Sequence, residues 1–198
     1  MWKEIAPAFR VTILLTIVVG LLYPGLVTGL CHLLFRNAAN GSLISANGQV
    51  VGSSLIGQNF TKPEYFQPRP SAAGAGYDGF ASGGSNYGPT NQHLIDRVQA
   101  SIDQFRKDNP DYHGPLPADL FTASASGLDP HISPASAEAQ APRVAKARGV
   151  KLDQMEQLIS RHVEPRQLGF LGEPRVNVLE LNLDLDAVHP MAKTAALR

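Results

Sequence analysis

The sequence contains one cysteine, Cys31, and no excess of charge of either sign. One thiol has no partner within the chain, so an internal disulfide framework and a cysteine-based zinc site are both excluded. The 17 basic and 17 acidic side chains leave no net charge with which to follow a phosphate backbone, which argues against a nucleic-acid-binding protein. A chain of 198 residues predicts one compact domain and at most one appended element.

Formal charge is also absent from residues 11–35, which read VTILLTIVVGLLYPGLVTGLCHLLF. As a helix this run would be roughly 38 Å long at about 1.5 Å per residue, more than the roughly 30 Å of a hydrocarbon core. It is too long for the apolar part of a cleaved signal peptide, which is about 7–15 residues. The large Leu30 before Cys31 does not fit a lipoprotein signal. The run therefore predicts a retained transmembrane helix.

The flanking charges predict the orientation of this helix. Lys3 and Arg10 precede the apolar run, whereas only Arg36 follows it closely. Basic residues are enriched on the cytoplasmic side, so the imbalance favours a cytoplasmic N-terminus. We therefore expect a cytoplasmic segment at 1–10, a transmembrane helix at 11–35, an extracytoplasmic domain at 36–186 and a tail at 187–198.

Small and helix-distorting residues occur within the predicted span. Pro24 removes a backbone donor and predicts a kink. Gly25 and Gly29 form a small-xxx-small pattern that permits close approach of another helix, although a plain anchor also contains such residues. The combination favours a span that packs against a partner.

The remainder of the chain predicts a small mixed α+β domain. Asn47-Gly48 between short apolar runs predicts a β-hairpin over residues 42–52. Apolar spacing predicts a helix from Thr90, a second from the Ser133 cap to Gly149 with a break or bend at Pro142, and a third around 152–159. Alternation over residues 176–185 predicts a strand with one buried face. Between these elements, residues 63–89 predict an ordered, irregular loop held by its aromatic rings.

The stretch SGLDPHISP, residues 126–134, concentrates side chains that are common in catalytic and metal sites. A catalytic triad usually assembles from distant segments, and no second His/Asp cluster completes a metal site. The prolines fix backbone angles, and the polar side chains can cap nearby amides. We therefore interpret the stretch as a turn that leads into a helix. Its members are Ser126, Gly127, Asp129, Pro130, His131, Ser133 and Pro134.

Two glycine-rich stretches raise the alternative of nucleotide binding. Residues 74–79, GAGYDG, match the spelling of a dinucleotide fingerprint, but Pro68-Arg69-Pro70 precedes them and no helix is predicted before about Thr90. Residues 82–86, SGGSN, fit an anion-binding nest or a plain glycine turn. The match of residues 74–79 is therefore interpreted as accidental, and a glycine turn is the favoured interpretation of residues 82–86.

The chain resembles the KdpC family of subunits of the bacterial Kdp potassium-transporting ATPase. The likeness rests on SGLDPHISP with its flanks and covers nearly the whole chain, but not residues 73–80 or 187–198. The other stretches that carry it are 39–43, 65–66, 69–72, 81–86, 88–91, 117–126, 142–149 and 168–178.

The resemblance implies a non-catalytic accessory subunit in a bacterial inner membrane. Its implied partners are a channel-like potassium-translocating subunit and a P-type, ATP-hydrolysing subunit. Family members are described as assembly or catalytic chaperones that raise the pump subunit's ATP affinity, and a nucleotide-binding role has been attached to them. The chain is expected to hold no cofactor of its own, since the complex handles ATP and potassium.

The predicted topology separates the outer domain from cytoplasmic ATP, so we expect an effect on ATP affinity to act through conformational coupling. Two alternatives stay open at this point. One is a membrane-tethered hydrolase or metalloprotein that uses Ser126, Asp129 and His131. The other is a nucleotide binder that uses the glycine-rich stretches.

Overall fold

A long apolar helix begins the chain. The computed structural model describes residues 2–46 and 48–191, and in it α1 (Trp2–Ile17), a π-helical turn (Val18–Leu22) and α2 (Tyr23–Leu34) follow one another directly. These 33 residues are long and apolar enough to cross a membrane, and their side chains are exposed. The prediction of a single N-terminal span is therefore confirmed.

A π-helical turn directly precedes Pro24, and the kink predicted at this proline stays a prediction. The Tyr23 N–H donates to the Val18 carbonyl five residues earlier, one residue further back than in an α-helix. This wider turn lies where Pro24 has no N–H to offer to the preceding turn. The apolar segment thus stays helical across the proline.

A short hairpin follows the span. After α3 (Arg36–Ala39), β1 (Leu43–Ala46) pairs antiparallel with β2 (Gln49–Ser53), with a register shift between Ile44 and Ser45. The hairpin prediction is confirmed, although Asn47 of its turn lies outside the described residues. The chain divides here into two compact units, residues 1–53 and residues 54–198.

The three predicted helices of the second unit are present. They are α4 (Gln92–Asp108), α5 (Pro134–Arg148) and α6 (Leu152–Arg161). Asn91 caps α4, Ser133 caps α5, and Gly149 ends α5 with a left-handed conformation. The predicted break at Pro142 is wrong, because α5 runs through it. Eight residues of this helix are buried, and such packing outweighs the roughly 3 kcal/mol cost of an interior proline.

The strand predicted over residues 176–185 is largely wrong. Only β5 (Arg175–Asn177) is a strand, and α7 (Val178–Val188) follows at once. The Asn177 side chain caps this helix by accepting hydrogen bonds from the N–H groups of Leu179 and Glu180 at 3.1 and 3.2 Å. The buried residues of α7 recur at helical spacing: Val178, Leu179, Leu181, Asn182 and Leu185. Alternation and helical spacing therefore coincided over this short run.

A three-stranded antiparallel sheet and the helices enclose the core of the second unit. The sheet has the order β3 (His131–Ile132), β5, β4 (Val163–Glu164). Side chains of the sheet, α5, α6 and α7 pack together with Phe66 from the irregular loop. This arrangement confirms the predicted α+β class. The principal members of the core are Phe66, Ile132, Val144, Met155, Leu158, Ile159, Val176, Leu181 and Leu185.

Candidate functional site

The turn SGLDPHISP lies against the irregular loop of the second unit, and Gly127 is its closest point of approach. Gly127 has φ +67°, and a Cβ atom placed there would lie 2.7 Å from the Gly83 carbonyl oxygen and 2.8 Å from the Ala73 backbone nitrogen. The position thus requires glycine for its conformation and for its packing. The prediction that the stretch forms a turn is supported by this geometry.

Hydrogen bonds hold both peptide groups around Gly127. The Ser126 carbonyl accepts from the Ser82 hydroxyl and the Gly83 N–H, each at 2.9 Å. The Gly127 carbonyl accepts from the Ser71 hydroxyl at 2.6 Å. The Ser126 hydroxyl accepts from the Leu128 N–H at 3.1 Å. Ser126 is therefore used in holding the turn.

Asp129 pairs with a cation from the irregular loop. Its carboxylate lies 3.0 Å from the Arg69 guanidinium and accepts the His131 N–H at 3.0 Å, and the His131 ring nitrogen Nδ1 lies 3.4 Å away. Burial raises the pKa of this carboxyl, but the hydrogen bonds from His131 and the charge of Arg69 outweigh burial, so the pKa lies below its ordinary value. Asp129 is an ionised anchor at neutral pH.

These contacts do not assemble a nucleophilic or metal site. The Ser126 hydroxyl bonds to a backbone amide, whereas the His131 ring pairs with Asp129. Within residues 2–46 and 48–191, no group of three or more His, Cys, Asp or Glu side chains converges as metal ligands would. The geometry therefore gives no support to the hydrolase or metalloprotein alternative.

The end of the turn depends on Asp119, which the sequence did not single out for this role. Its carboxylate accepts the Ser133 N–H at 2.8 Å and the hydroxyls of Ser133 and Ser136 at 3.0 and 2.7 Å. Pro134 then starts α5, and the Pro130 carbonyl accepts the Val178 N–H at 3.0 Å. The turn is thus bonded to two helices as well as to the loop.

Residues 73–80, for which no role was predicted, line the turn. The Tyr77 hydroxyl donates to the Arg69 carbonyl at 2.6 Å. Burial first, and then the charge of Asp129, raises the pKa of Tyr77 well above its usual range, so the hydroxyl stays a neutral donor. A Cβ atom at Gly57 would lie 2.5 Å from the Tyr77 ring and 2.6 Å from the Asp129 carbonyl oxygen. Gly57 therefore packs closely against both the Tyr77 ring and the Asp129 backbone.

The glycine-rich stretches serve the same packing. In the part of the chain that the structure describes, no strand leads into residues 74–79, and the next helix after them is α4. The Ser71 hydroxyl accepts the N–H groups of Ala73 and Tyr77, and a Cβ atom at Gly84 would lie 3.0 Å from the Ala125 carbonyl oxygen. The stretch 74–79 thus lacks the strand-turn-helix setting of a dinucleotide fingerprint.

A cleft of about 560 Å³ opens beside the turn. Leu55 and Ile56 are 60% and 44% exposed at its rim, and Leu128, Pro130 and the Arg69–Asp129 pair complete its wall. An open cleft that combines apolar side chains with one fixed ion pair suits contact with another protein. We refer to it as the turn cleft.

The glycine face of the span is open in the single chain. Apart from the backbone of the helix itself, no atom of residues 2–46 and 48–191 lies within 4 Å of the position that a Cβ atom would take at Gly25 or Gly29. The two glycines are one helical turn apart, directly after Pro24. The notch that they form leaves room for a helix from another subunit.

Comparisons with known proteins identify relatives over nearly the entire chain. The family described as KdpC, the c chain of K⁺-transporting ATPases, matches residues 5–187. The chain is 55% identical over 192 residues to a potassium-transporting ATPase KdpC subunit of Koribacter versatilis, covering 96% of this chain and 98% of that protein. It is 56% identical over 187 residues to the one of Myxococcus xanthus, covering 94% and 89%, and 54% identical over 192 residues to the one of Rhodospirillum rubrum, covering 97% and 100%.

Proposed function

Since the chain belongs to the KdpC family of potassium-transporting ATPase subunits, we propose that it is the accessory subunit that stabilises the complex and raises the ATP affinity of the pump subunit. Its partners are then a channel-like potassium-translocating subunit and a P-type, ATP-hydrolysing subunit. The chain holds no active site and no cofactor of its own, and ATP and potassium are handled by its partners. In this role the chain acts as a catalytic chaperone of the complex.

The observation that carries the proposal is that hydrogen bonds within the second unit hold the turn SGLDPHISP in a fixed shape. Ser126, Asp129 and Ser133 direct their polar atoms at groups within the second unit, at 3.1 Å or less. The turn cleft beside them presents apolar side chains on a backbone fixed from several sides. A rigid surface of this kind supports binding more than chemistry, because little conformational freedom is lost on association.

The route to ATP affinity is conformational coupling between subunits. A subunit that binds one pump conformation more tightly shifts the pump towards that conformation. If ATP favours the same conformation, its apparent affinity rises by the same linkage, typically about 5- to 150-fold for coupling of about 1–3 kcal/mol. The turn cleft and the Gly25/Gly29 notch are the two surfaces that we propose for this contact.

The turn cleft can be tested by placing a charge at its rim. We expect Ile56→Glu to weaken co-purification of the chain with its co-expressed partner subunits in mild detergent, because a carboxylate is costly to desolvate at an interface. The same variant should raise the ATP concentration needed for half-maximal ATPase activity. Leu152→Glu on α6 is the matched control, since Leu152 is 41% exposed against 44% for Ile56. Wild-type assembly and ATP dependence of Ile56→Glu would reject the turn cleft as the contact.

Coupling across the membrane also requires the proposed orientation, with a cytoplasmic N-terminus and an outer second unit. Cys31 is the only cysteine, so a Cys31→Ala/Ala100→Cys chain carries one thiol on the exposed side of α4. We expect a membrane-impermeant maleimide to label this thiol in intact spheroplasts, with Cys31→Ala alone as the unlabelled control. Labelling only after lysis would place the second unit with cytoplasmic ATP and reject coupling across the membrane.

A further inference from the structure

The loop between β4 and β5 presents three large apolar side chains to solvent. Leu168, Phe170 and Leu171 are 83%, 70% and 48% exposed. They lie within a run of exposed residues from 165 to 173, and residues 167–172 contain no charged side chain. We call these three side chains the apolar tip. A cluster of this kind on an exposed loop indicates contact with an apolar phase or partner.

Backbone hydrogen bonds close the loop that carries the apolar tip. The N–H groups of Gln167 and Leu171 donate to each other's carbonyls at 2.9 Å. Those of Gly169 and Phe170 donate to the carbonyls of Arg166 and Gln167 at 3.1 and 3.2 Å. These four bonds fix the loop as a tight turn, so the three apolar side chains are presented together at its end. The other peptide groups of the turn can bond to water and lipid headgroups, which the interfacial region of a bilayer supplies.

The conformation of Leu168 points to a role for its side chain. Leu168 has φ +53° and Gly169 has φ +81°, a pair of positive values for which asparagine and glycine are the usual residues. A leucine in this conformation is strained, and its side chain gains no burial that would offset the strain. Strain held at an exposed apolar residue is typical of a contact outside the chain.

Charges near the base of the loop are paired. The Arg166 guanidinium lies 2.6 Å from the Glu173 carboxylate, and the Arg175 guanidinium lies 2.8 Å from that of Glu164. The loop thus has an uncharged end above a polar base, the order that a bilayer presents from its acyl region to its headgroups. The area that three side chains can bury is also far below the roughly 800 Å² that each partner buries in a stable protein interface.

We propose that the apolar tip inserts into the interfacial region of the bilayer that holds the N-terminal span. The ligand is the upper acyl-chain region of phospholipids, and the anchor keeps every copy of the chain at such a surface. Insertion provides a second point of attachment to the membrane, and the reduced freedom lowers the entropy that is lost when partner subunits bind. The inference rests on the span and not on the accessory role.

The test places a fluorescent side chain in the apolar tip. Trp2 is the only tryptophan, so Trp2→Phe/Phe170→Trp carries a single indole at the loop. The full chain is reconstituted alone in phosphatidylethanolamine and phosphatidylglycerol vesicles, with and without lipids brominated near the top of the acyl chain. We expect a blue-shifted emission that is lost in large part on bromination. The matched control is Trp2→Phe/Phe80→Trp, since Phe80 is an exposed loop phenylalanine like Phe170 but has no large apolar residue next to it in sequence.

A second substitution separates insertion from mere proximity. Leu168→Asn removes an apolar side chain and relieves the positive φ, so in the Phe170→Trp background it should raise the unfolding temperature and reduce quenching. Trp2→Phe/Leu171→Trp supplies the same readout if Phe170→Trp does not fold. Emission typical of indole in water, without quenching, would overturn the proposal. A blue shift that appears only with co-expressed partner subunits would also overturn it, because the tip would then dock on protein.

Discussion

We expect Gly127→Ala to lower the free energy of unfolding of the protein by about 2–5 kcal/mol. The positive φ of +67° costs an L-residue about 1–2 kcal/mol, and contacts of 2.7–2.8 Å with the Gly83 carbonyl and Ala73 require a backbone shift that costs about 1–3 kcal/mol more. Typical domains are stable by about 5–15 kcal/mol, so this loss is a large fraction of the total. Urea unfolding of the detergent-solubilised chain, followed by circular dichroism, measures it.

Two other glycines divide this cost into its parts. Gly149 has the same φ of +67°, and apart from its own helix and chain neighbours no atom of the described residues lies within 4 Å of the position that a Cβ atom would take there, so Gly149→Ala reports conformational strain alone. Gly79 lacks both a positive φ and a close neighbour among the described residues, so Gly79→Ala should change the free energy by about 1 kcal/mol or less. If Gly127→Ala proved no more destabilising than Gly149→Ala, close packing of the turn on the loop would be contradicted.

The same variant also tests the proposed contact between the turn cleft and the partner subunits. A shift at Gly127 moves the peptides that Ser71, Ser82 and Gly83 hold, and Leu128 of the turn cleft follows directly in sequence. We therefore expect Gly127→Ala to weaken co-purification with partner subunits even at temperatures where the chain remains folded. Local rearrangement at a binding surface commonly acts in this way, because the contact geometry changes before the fold is lost.

Local signals explain which elements the sequence predicts well. The bounds of α5 follow from the Ser133 cap, from Pro134 at the first helical position and from Gly149 at the end. Each of these residues lies within one or two residues of the helix end that it determines. The hairpin β1–β2 follows from an equally local turn signal. The strand predicted over 176–185 fails because Asn177 begins a helix whose buried side is decided by packing against the core.

The turn itself shows where sequence reasoning ends. SGLDPHISP predicts a fixed shape, since its prolines and glycine constrain the backbone within the stretch. The residues that hold it are distant in sequence: Ser71 and Gly83 are tens of residues away, and Asp119 is 14 residues from Ser133. The local sequence around these residues does not indicate the pairings, because such contacts arise only when the loop is folded onto the helices.

Phe66 carries the second large expected effect, because it fastens the irregular loop to the core. Its side chain is fully buried among residues of the sheet and helices. The Asn182 side chain accepts the Phe66 N–H and donates to the Phe66 carbonyl, both at 2.9 Å. Gln140 pairs in the same way with the backbone of Gln67, and Arg143 donates to the Tyr65 carbonyl at 3.1 Å. The loop is thus held by one buried ring and by side chains that hydrogen-bond to its backbone as a neighbouring strand would.

We therefore expect Phe66→Ala to lower the free energy of unfolding by about 3–5 kcal/mol, the range found when a buried aromatic ring is removed and a cavity remains. Phe80→Ala is the matched control from the same loop, and since Phe80 is fully exposed its effect should stay within about 0.5 kcal/mol. Arg69 and Ser71 follow Phe66 in sequence and contact the turn, so the loss of the ring should also loosen the Asp129 ion pair. Equal effects of the two alanine variants would show that the loop is not anchored through Phe66.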